Sequence, residues 1–122
     1  LHRVLQLPLH QLESLQRRRF VTIAPEGRES VVGGLEQGLD GAAFLALHAD
    51  VPIVPIAVAG TENPRIYRGL VCWPRHPVSM TVGQPFRLVK TGNRRADLKN
   101  GTDQIMRALA SLLPPEYQGM YR

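Results

Sequence analysis

Apolar residues recur at two different spacings near the start of the chain, and each spacing predicts one type of element. Leucines first return at the period of an amphipathic helix (Leu5, Leu9, Leu12 and Leu15). The basic triplet Arg17 to Arg19 closes this stretch and suits a helix C-terminus. Phe20 to Ala24 is then a short run of β-forming residues. The pattern therefore predicts a helix that leads into a strand.

The middle of the chain predicts a second helix and a second strand. Residues 31–41 are rich in glycine, which predicts a mobile connection. Residues 41–50, GAAFLALHAD, predict a short buried helix whose alanines let it lie close against a sheet. Residues 51–60, VPIVPIAVAG, are nearly all apolar, as is typical of a strand covered on both faces in a parallel sheet. Because Pro55 has no N–H to donate, we expect a bulge or a sheet edge there.

The last part of the chain predicts an irregular segment, another strand and a terminal helix. Residues 61–77 carry three prolines and no clear period, whereas residues 78–86 alternate well enough to predict another strand, which ends at Gly83. Apolar positions between Asp97 and Leu113 mark an amphipathic helix, which Pro114 and Pro115 stop. The order of elements predicts an α/β fold with a mixed, largely parallel sheet flanked by helices. A chain of 122 residues fits one domain.

Charge favours a partner that carries phosphate. Lys and Arg number 15 against 10 Asp and Glu, a net charge of +5, which suits a nucleic acid, a lipid headgroup or a small phosphorylated ligand. The densest basic cluster is Arg17 to Arg19, and a looser one comprises Arg94, Arg95 and Lys99. The three Phe, one Trp and three Tyr are scattered without a basic and aromatic platform. We therefore expect no nucleic-acid partner.

Cysteine content and hydropathy indicate the compartment of the protein and its relation to the membrane. The single cysteine, Cys72, has no partner for an internal disulfide and predicts a reducing compartment. The longest apolar run, Val51 to Ala59, is too short for a transmembrane helix.

The candidate site is the polar stretch PEGRES, residues 25–30, at the end of the first predicted strand. Ligands of α/β folds bind at strand ends. Gly27 allows a positive φ or a close approach to a ligand, and Arg28 offers a planar fork of donors for a phosphate or a carboxylate. Glu26 can orient that arginine or hold a ligand hydroxyl. The alternative interpretation is a surface turn with a local ion pair.

This stretch and the later GAAFLALHADVPIVPIAVAGTE together resemble the glycerolipid acyltransferase family typified by lysophosphatidic acid acyltransferase (1-acyl-glycerol-3-phosphate acyltransferase). In that family a strand enters a Pro-Glu-Gly block with a nearby arginine, and a helix then leads to a Val-Pro-(Ile/Val)-Val-Pro strand. The resemblance continues weakly to the C-terminal helix. It implies that residues 1–122 are the C-terminal portion of a single acyltransferase domain with a glycerol-3-phosphate acyltransferase-like fold.

The resemblance implies transfer of a fatty acyl group from acyl-CoA or acyl-carrier protein to a lysophospholipid in phospholipid biosynthesis. The acyl thioester is a co-substrate, and no cofactor or metal is implied. The place implied is cytoplasmic and peripheral, on the anionic membrane surface at the inner face of the cell membrane. The residues matched to the acceptor site are Glu26, Gly27, Arg28 and Ser30, with Arg28 on the glycerol phosphate, and those matched to the pocket wall are Pro52 and Pro55. Relative to the common family form Glu-Gly-Thr-Arg-Ser, Arg28 stands one position early.

The family's catalytic His-x4-Asp block is absent from this sequence. None of its histidines has an aspartate five positions on, and each is predicted to be structural or on the surface (His2, His10, His48 and His76). We expect the block upstream of Leu1 and expect this chain alone to be inactive, with one face of the 51–60 strand uncovered. The alternative is a non-catalytic module that binds a phosphorylated ligand or a nucleic acid.

Overall fold

The computed structural model describes residues 10–27, 33–60 and 78–122. Its helices and strands, in chain order, are α1 over residues 10–16, α2 (Gly41–Ala49), β1 (Ile56–Ala59), β2 (Ser79–Val82) and α3 (Arg94–Ser111). Two 3-10 turns follow, Pro115–Tyr117 and Gly119–Tyr121. The described parts of the chain therefore form a small mixed α/β structure, which confirms the predicted class.

The two described strands pair in the antiparallel direction. Ile56 lies opposite Val82, and Ala59 lies opposite Ser79. The prediction of a largely parallel sheet is therefore wrong for the described residues. A continuous apolar run indicates burial but carries no information on strand direction, and a connection as long as residues 61–77 is compatible with either direction.

The strand register changes at Pro55, where the sequence predicts a bulge. Beyond β1, Ile53 and Phe86 form an isolated bridge with backbone hydrogen bonds of 2.8 and 3.0 Å. Two residues separate this bridge from β1 on one side, whereas three separate it from β2 on the other. The extra residue is a bulge on the second strand, within which Gly83 N donates to the Pro55 carbonyl oxygen at 2.9 Å. The irregularity therefore lies opposite Pro55, on the partner strand, and not within the Pro55 strand, where the sequence predicts it.

The segment 20–24, predicted as a strand, belongs to neither a strand nor a helix. Phe20 is fully exposed. Residues of high β propensity form a strand only beside a partner that pairs with their backbone, and the described sheet consists of β1 and β2. The prediction of a strand here is therefore wrong.

The core lies between α2 and α3. Its buried cluster comprises Ala43, Ile105, Met106 and Leu109. The alanines of α2 were expected to lie against a sheet, but a Cβ atom built on Gly101 of α3 would be only 3.2 Å from Ala43 Cβ. Small residues on both helices therefore allow a close helix-to-helix contact instead.

Helix α3 confirms the amphipathic helix predicted from Asp97 onward. It begins earlier, at Arg94, because the Asn93 side chain caps it by accepting a hydrogen bond from Ala96 N at 3.3 Å. It ends at Ser111, ahead of the two prolines. Three of the apolar positions that carried the prediction are buried (Ile105, Met106 and Leu109), and the other two, Leu112 and Leu113, are half-buried. Neither α3 nor any other helix in the described ranges is long and apolar enough to cross a membrane.

One face of the strand pair is uncovered in the described structure. Ile56 and Val58 of β1 lie opposite Val82 and Met80 of β2, and directly opposed residues of an antiparallel pair share one face. These four side chains remain 44% to 68% exposed, whereas Ala57 on the other face is buried. The expectation of an uncovered strand face is confirmed for the described residues.

Candidate functional site

The Pro25-Glu26-Gly27 block forms a tight turn. Gly27 N donates to the Ala24 carbonyl oxygen at 3.1 Å, and Gly27 has a φ of 71°, in the region that favours glycine. A Cβ atom on Gly27 would also lie 2.7 Å from Leu39 Cδ1. The backbone conformation therefore favours glycine here, whereas the exposed Leu39 side chain could move aside.

Two hydrogen bonds anchor this turn to the segment that precedes α2. Glu26 Oε2 accepts from Glu36 N at 3.2 Å, and the Pro25 carbonyl oxygen accepts from Leu39 N at 2.7 Å. The Glu26 side chain is half-buried. Its carboxylate thus stabilises the turn, and its predicted roles toward Arg28 or a ligand hydroxyl stay predictions.

The same segment is held on its other side by the C-terminal turns. Leu35 N donates to the Tyr117 carbonyl oxygen at 3.0 Å, and the Leu35 carbonyl oxygen accepts from Met120 N at 3.4 Å. Gly38 N donates to the Tyr121 hydroxyl oxygen at 3.2 Å. Hydrogen bonds therefore hold residues 35–39 on both sides, and Gly38 packs against the Met106 and Thr102 side chains; the mobility of this connection stays a prediction.

A polar contact between helices fixes where α2 begins. The Thr102 hydroxyl lies 2.8 Å from both Asp40 Oδ1 and the Leu98 carbonyl oxygen, so its single proton is shared between two acceptors. Thr102 is buried in α3, and Asp40 immediately precedes α2. Because Leu39, which anchors the turn, is next to Asp40, the packed helices position the candidate site.

The other predicted site residues have different surroundings. Arg28 and Ser30 lie outside the described residues. Pro52 is exposed, whereas Pro55 is buried and its Cγ would lie 2.9 Å from a Cβ atom built on Gly83. The strand pair therefore holds Pro55, while the segment before α2 holds the acceptor turn.

A cleft that the sequence did not predict lies between α2 and α3. It has a volume of about 270 Å³ and is lined by Leu47, His48, Lys90, Gly92, Arg94, Asp97 and Leu98. Within the described ranges, no three His, Cys, Asp or Glu side chains are placed to hold a metal ion.

Asp97 is the acidic residue of this cleft, and Thr91 holds it in its ionised form. Thr91 N lies 3.1 and 3.0 Å from the two carboxylate oxygens, and the Thr91 hydroxyl donates to Oδ1 at 2.5 Å. The hydroxyl contact is the main cause that lowers the pKa of Asp97 below its usual 3.8. The negative charge of Asp97 is thus engaged by the loop before α3.

An aromatic ring connects His48 and Arg94 at the cleft. The Phe44 and His48 ring centroids are 4.0 Å apart, and His48 Nδ1 lies 3.1 Å from the Phe44 carbonyl oxygen, which assigns a proton to Nδ1. The Arg94 guanidinium carbon lies 5.8 Å from the Phe44 ring centroid, within the range of a cation–π contact. His48 is exposed, as predicted for a surface histidine.

The candidate turn falls within a match to a known family. A family model described as Acyltransferase matches residues 4–59, which include the Pro25 to Gly27 turn, α2 and β1. No solved structure matches the chain. The predicted resemblance to acyltransferases is therefore confirmed over residues 4–59, and the match supports a general acyltransferase function.

Proposed function

We propose that this chain provides the acceptor-binding part of an enzyme that transfers a fatty acyl group from acyl-CoA or acyl-carrier protein to a lysophospholipid of the 1-acyl-glycerol-3-phosphate kind. The observation that carries this proposal is the Acyltransferase match, because residues 4–59 contain both motif blocks. The anchored turn before Arg28 supports it further. Such a turn gives an arginine a fixed starting point from which to reach a ligand.

In this proposal Arg28 binds the phosphate of the acceptor. A guanidinium group matches phosphate geometry with two parallel hydrogen bonds. Ser30 adds a hydroxyl beside it, and Pro52 and Pro55 form part of the pocket wall. The acceptor hydroxyl is thereby oriented for attack on the thioester carbonyl carbon.

The reaction also needs a general base. The acceptor hydroxyl loses its proton to that base as its oxygen forms the new ester bond, and the carbon–sulfur bond breaks to release the thiol. No histidine of this sequence has an aspartate five positions on. In this proposal the base therefore belongs to a His-x4-Asp block outside these 122 residues.

Arg28 variants of the full-length natural protein test this proposal. With acyl-CoA and lysophosphatidic acid, Arg28→Ala should lower kcat/KM by about 30- to 900-fold, which corresponds to about 2–4 kcal/mol for an unpaired phosphate. Arg28→Lys should retain part of the activity, since it keeps the charge but not the bidentate geometry. Arg19→Ala is the matched control, because Arg19 is exposed and precedes the turn. Equal kinetics for all four proteins would remove Arg28 from the site.

We further propose that the protein acts at an anionic membrane surface on the cytoplasmic side. The net charge of +5 supports this, since each well-placed Lys or Arg contributes about 1 kcal/mol of attraction to anionic lipid, screened by salt. The protein should co-sediment with phosphatidylserine-containing vesicles at low salt and be released at high salt. Neutral phosphatidylcholine vesicles are the control. No sedimentation at low salt, with retention on an oligonucleotide, would favour the non-catalytic alternative.

A further inference from the structure

We propose that the cleft between α2 and α3 binds a phosphate group through Lys90 and Arg94. Both side chains line a cavity of about 270 Å³ whose apolar walls are Leu47 and Leu98. Neither belongs to the acceptor motif. His48 lines the same cavity, but its Nδ1 proton is directed to the Phe44 carbonyl oxygen, so the donors to the phosphate are the two cations.

The acidic residue of the cleft is engaged mainly by Thr91, and Lys90 adds a smaller charge effect that also lowers the pKa of Asp97. Both Asp97 oxygens accept hydrogen bonds from Thr91, at 3.1, 3.0 and 2.5 Å. No carboxylate of the described residues forms an ion pair with Lys90 or Arg94. Arg94 faces the Phe44 ring, and a cation–π contact leaves its N–H groups able to donate to a ligand.

The charges around the cleft also favour an anionic ligand. Arg94 and Arg95 occupy the first two positions of α3, where the helix dipole favours negative charge, and Asp97 is the acidic residue of that first turn. Lys90 precedes the helix and Lys99 lies within it, and both add positive charge. An anion seated between Lys90 and Arg94 would interact favourably with these charges.

The cleft is large enough for a phosphate group and the atoms next to it. Its volume is about 270 Å³, near the lower end of the roughly 300–1,000 Å³ of small-molecule sites. Two sources carry such a group, a glycerophosphate headgroup and the nucleotide of an acyl thioester donor. The shared chemistry is a phosphate monoester.

Titration of the 122-residue chain with inorganic phosphate, followed by amide NMR, tests the site directly. Saturable shifts should concentrate at residues 47–48 and 90–98. The double variant K90Q/R94Q should weaken binding by about tenfold or more, because it removes both cleft cations. The matched variant R95Q/K99Q removes the same charge from exposed positions that do not line the cleft, and it should change affinity by less than about twofold.

Equal weakening by the two double variants would overturn the proposal, because it would show only diffuse attraction. So would shifts confined to other residues, or no saturable shift. K90Q alone lies outside α3 and repeats the test without altering the helix. Glycerol 3-phosphate and adenosine 3′,5′-bisphosphate are then titrated separately. The one that binds more tightly at these residues shows whether the bound phosphate belongs to a headgroup or to the nucleotide of the donor. Binding is measured here without turnover, so this inference and the acyl-transfer proposal can fail independently.

Discussion

One methyl group added at Gly38 should destabilise the fold by displacing Met106. Gly38 is buried, and an ideal Cβ atom there would lie 2.6 Å from Met106 Cγ, 2.9 Å from Met106 Sδ and 3.0 Å from Thr102 Cγ2. Met106 is fully buried, so it can yield only by disturbing its neighbours. Overpacking of this kind costs about 1–3 kcal/mol of stability. Replacing glycine by alanine also lowers the conformational entropy of the unfolded chain, which offsets about 0.4–1 kcal/mol of that cost. The difference between the midpoints of these two ranges gives a fall of about 1.3 kcal/mol in the free energy of unfolding.

A double-mutant cycle identifies Met106 as the cause. Met106→Ala alone should cost about 2–5 kcal/mol, since it empties a fully buried position. In that background the alanine methyl at position 38 enters vacated space, so Gly38→Ala should become neutral or stabilising. The coupling free energy should then be about 1 kcal/mol or more.

The assay is urea denaturation followed by far-UV circular dichroism, with Gly41→Ala as the control. A Cβ atom on Gly41 meets no atom within 4 Å, and Gly41 is the first residue of α2. Its replacement by alanine should be neutral or stabilising. A neutral Gly38→Ala in the wild-type background, or the same cost in both backgrounds, would refute the steric argument.

Further predictions concern three other contacts. Gly119 has a φ of 56°, and a Cβ atom there would overlap the carbonyl oxygen of Leu35. Gly119→Ala should therefore lower the free energy of unfolding by about 1–3 kcal/mol in the same urea assay, and a neutral result would contradict the close backbone contact. Because Thr91 lowers the pKa of Asp97 in the folded chain, the stabilisation is present above the usual value of 3.8 and is lost as the pH falls through the lowered pKa. The urea midpoint of the wild type should therefore exceed that of Asp97→Asn at neutral pH and converge with it in acid, whereas a constant difference would exclude this linkage. Thr102→Val removes the hydroxyl that holds the start of α2 and should cost about 1–3 kcal/mol, while Ser111→Ala, an exposed hydroxyl change on the same helix, should cost less.

The helices could be predicted because the apolar residues that recur at helical spacing are also the residues that become buried. Ile105, Met106 and Leu109 lie on one face of α3, and their spacing in the sequence shows that face directly. The alanines of α2 predicted a close contact, but not that its partner would be Gly101 on a helix. The missing N–H of Pro55 predicted an irregularity in its own strand, whereas the extra residue lies on the partner strand.

Strand direction and the cleft depend on contacts that local sequence does not encode. The apolar run 51–60 predicts burial, yet its antiparallel pairing is settled by a segment more than twenty positions away. The cleft brings His48 beside Lys90 and Arg94, which no spacing rule connects. The sequence signal for the cleft was the start of α3. Asn93 is a good helix cap, and two arginines follow it at positions where acidic residues are favoured.

The most direct test of the proposed acyl transfer is the stoichiometry of its products. The full-length natural protein is incubated with isotope-labelled acyl-CoA and lysophosphatidic acid, and both free CoA and labelled phosphatidic acid are quantified by mass spectrometry. We predict equal amounts of the two products from the full-length protein and none from residues 1–122 alone. Release of CoA with free fatty acid and no phosphatidic acid, or no turnover by the full-length protein, would contradict the proposal.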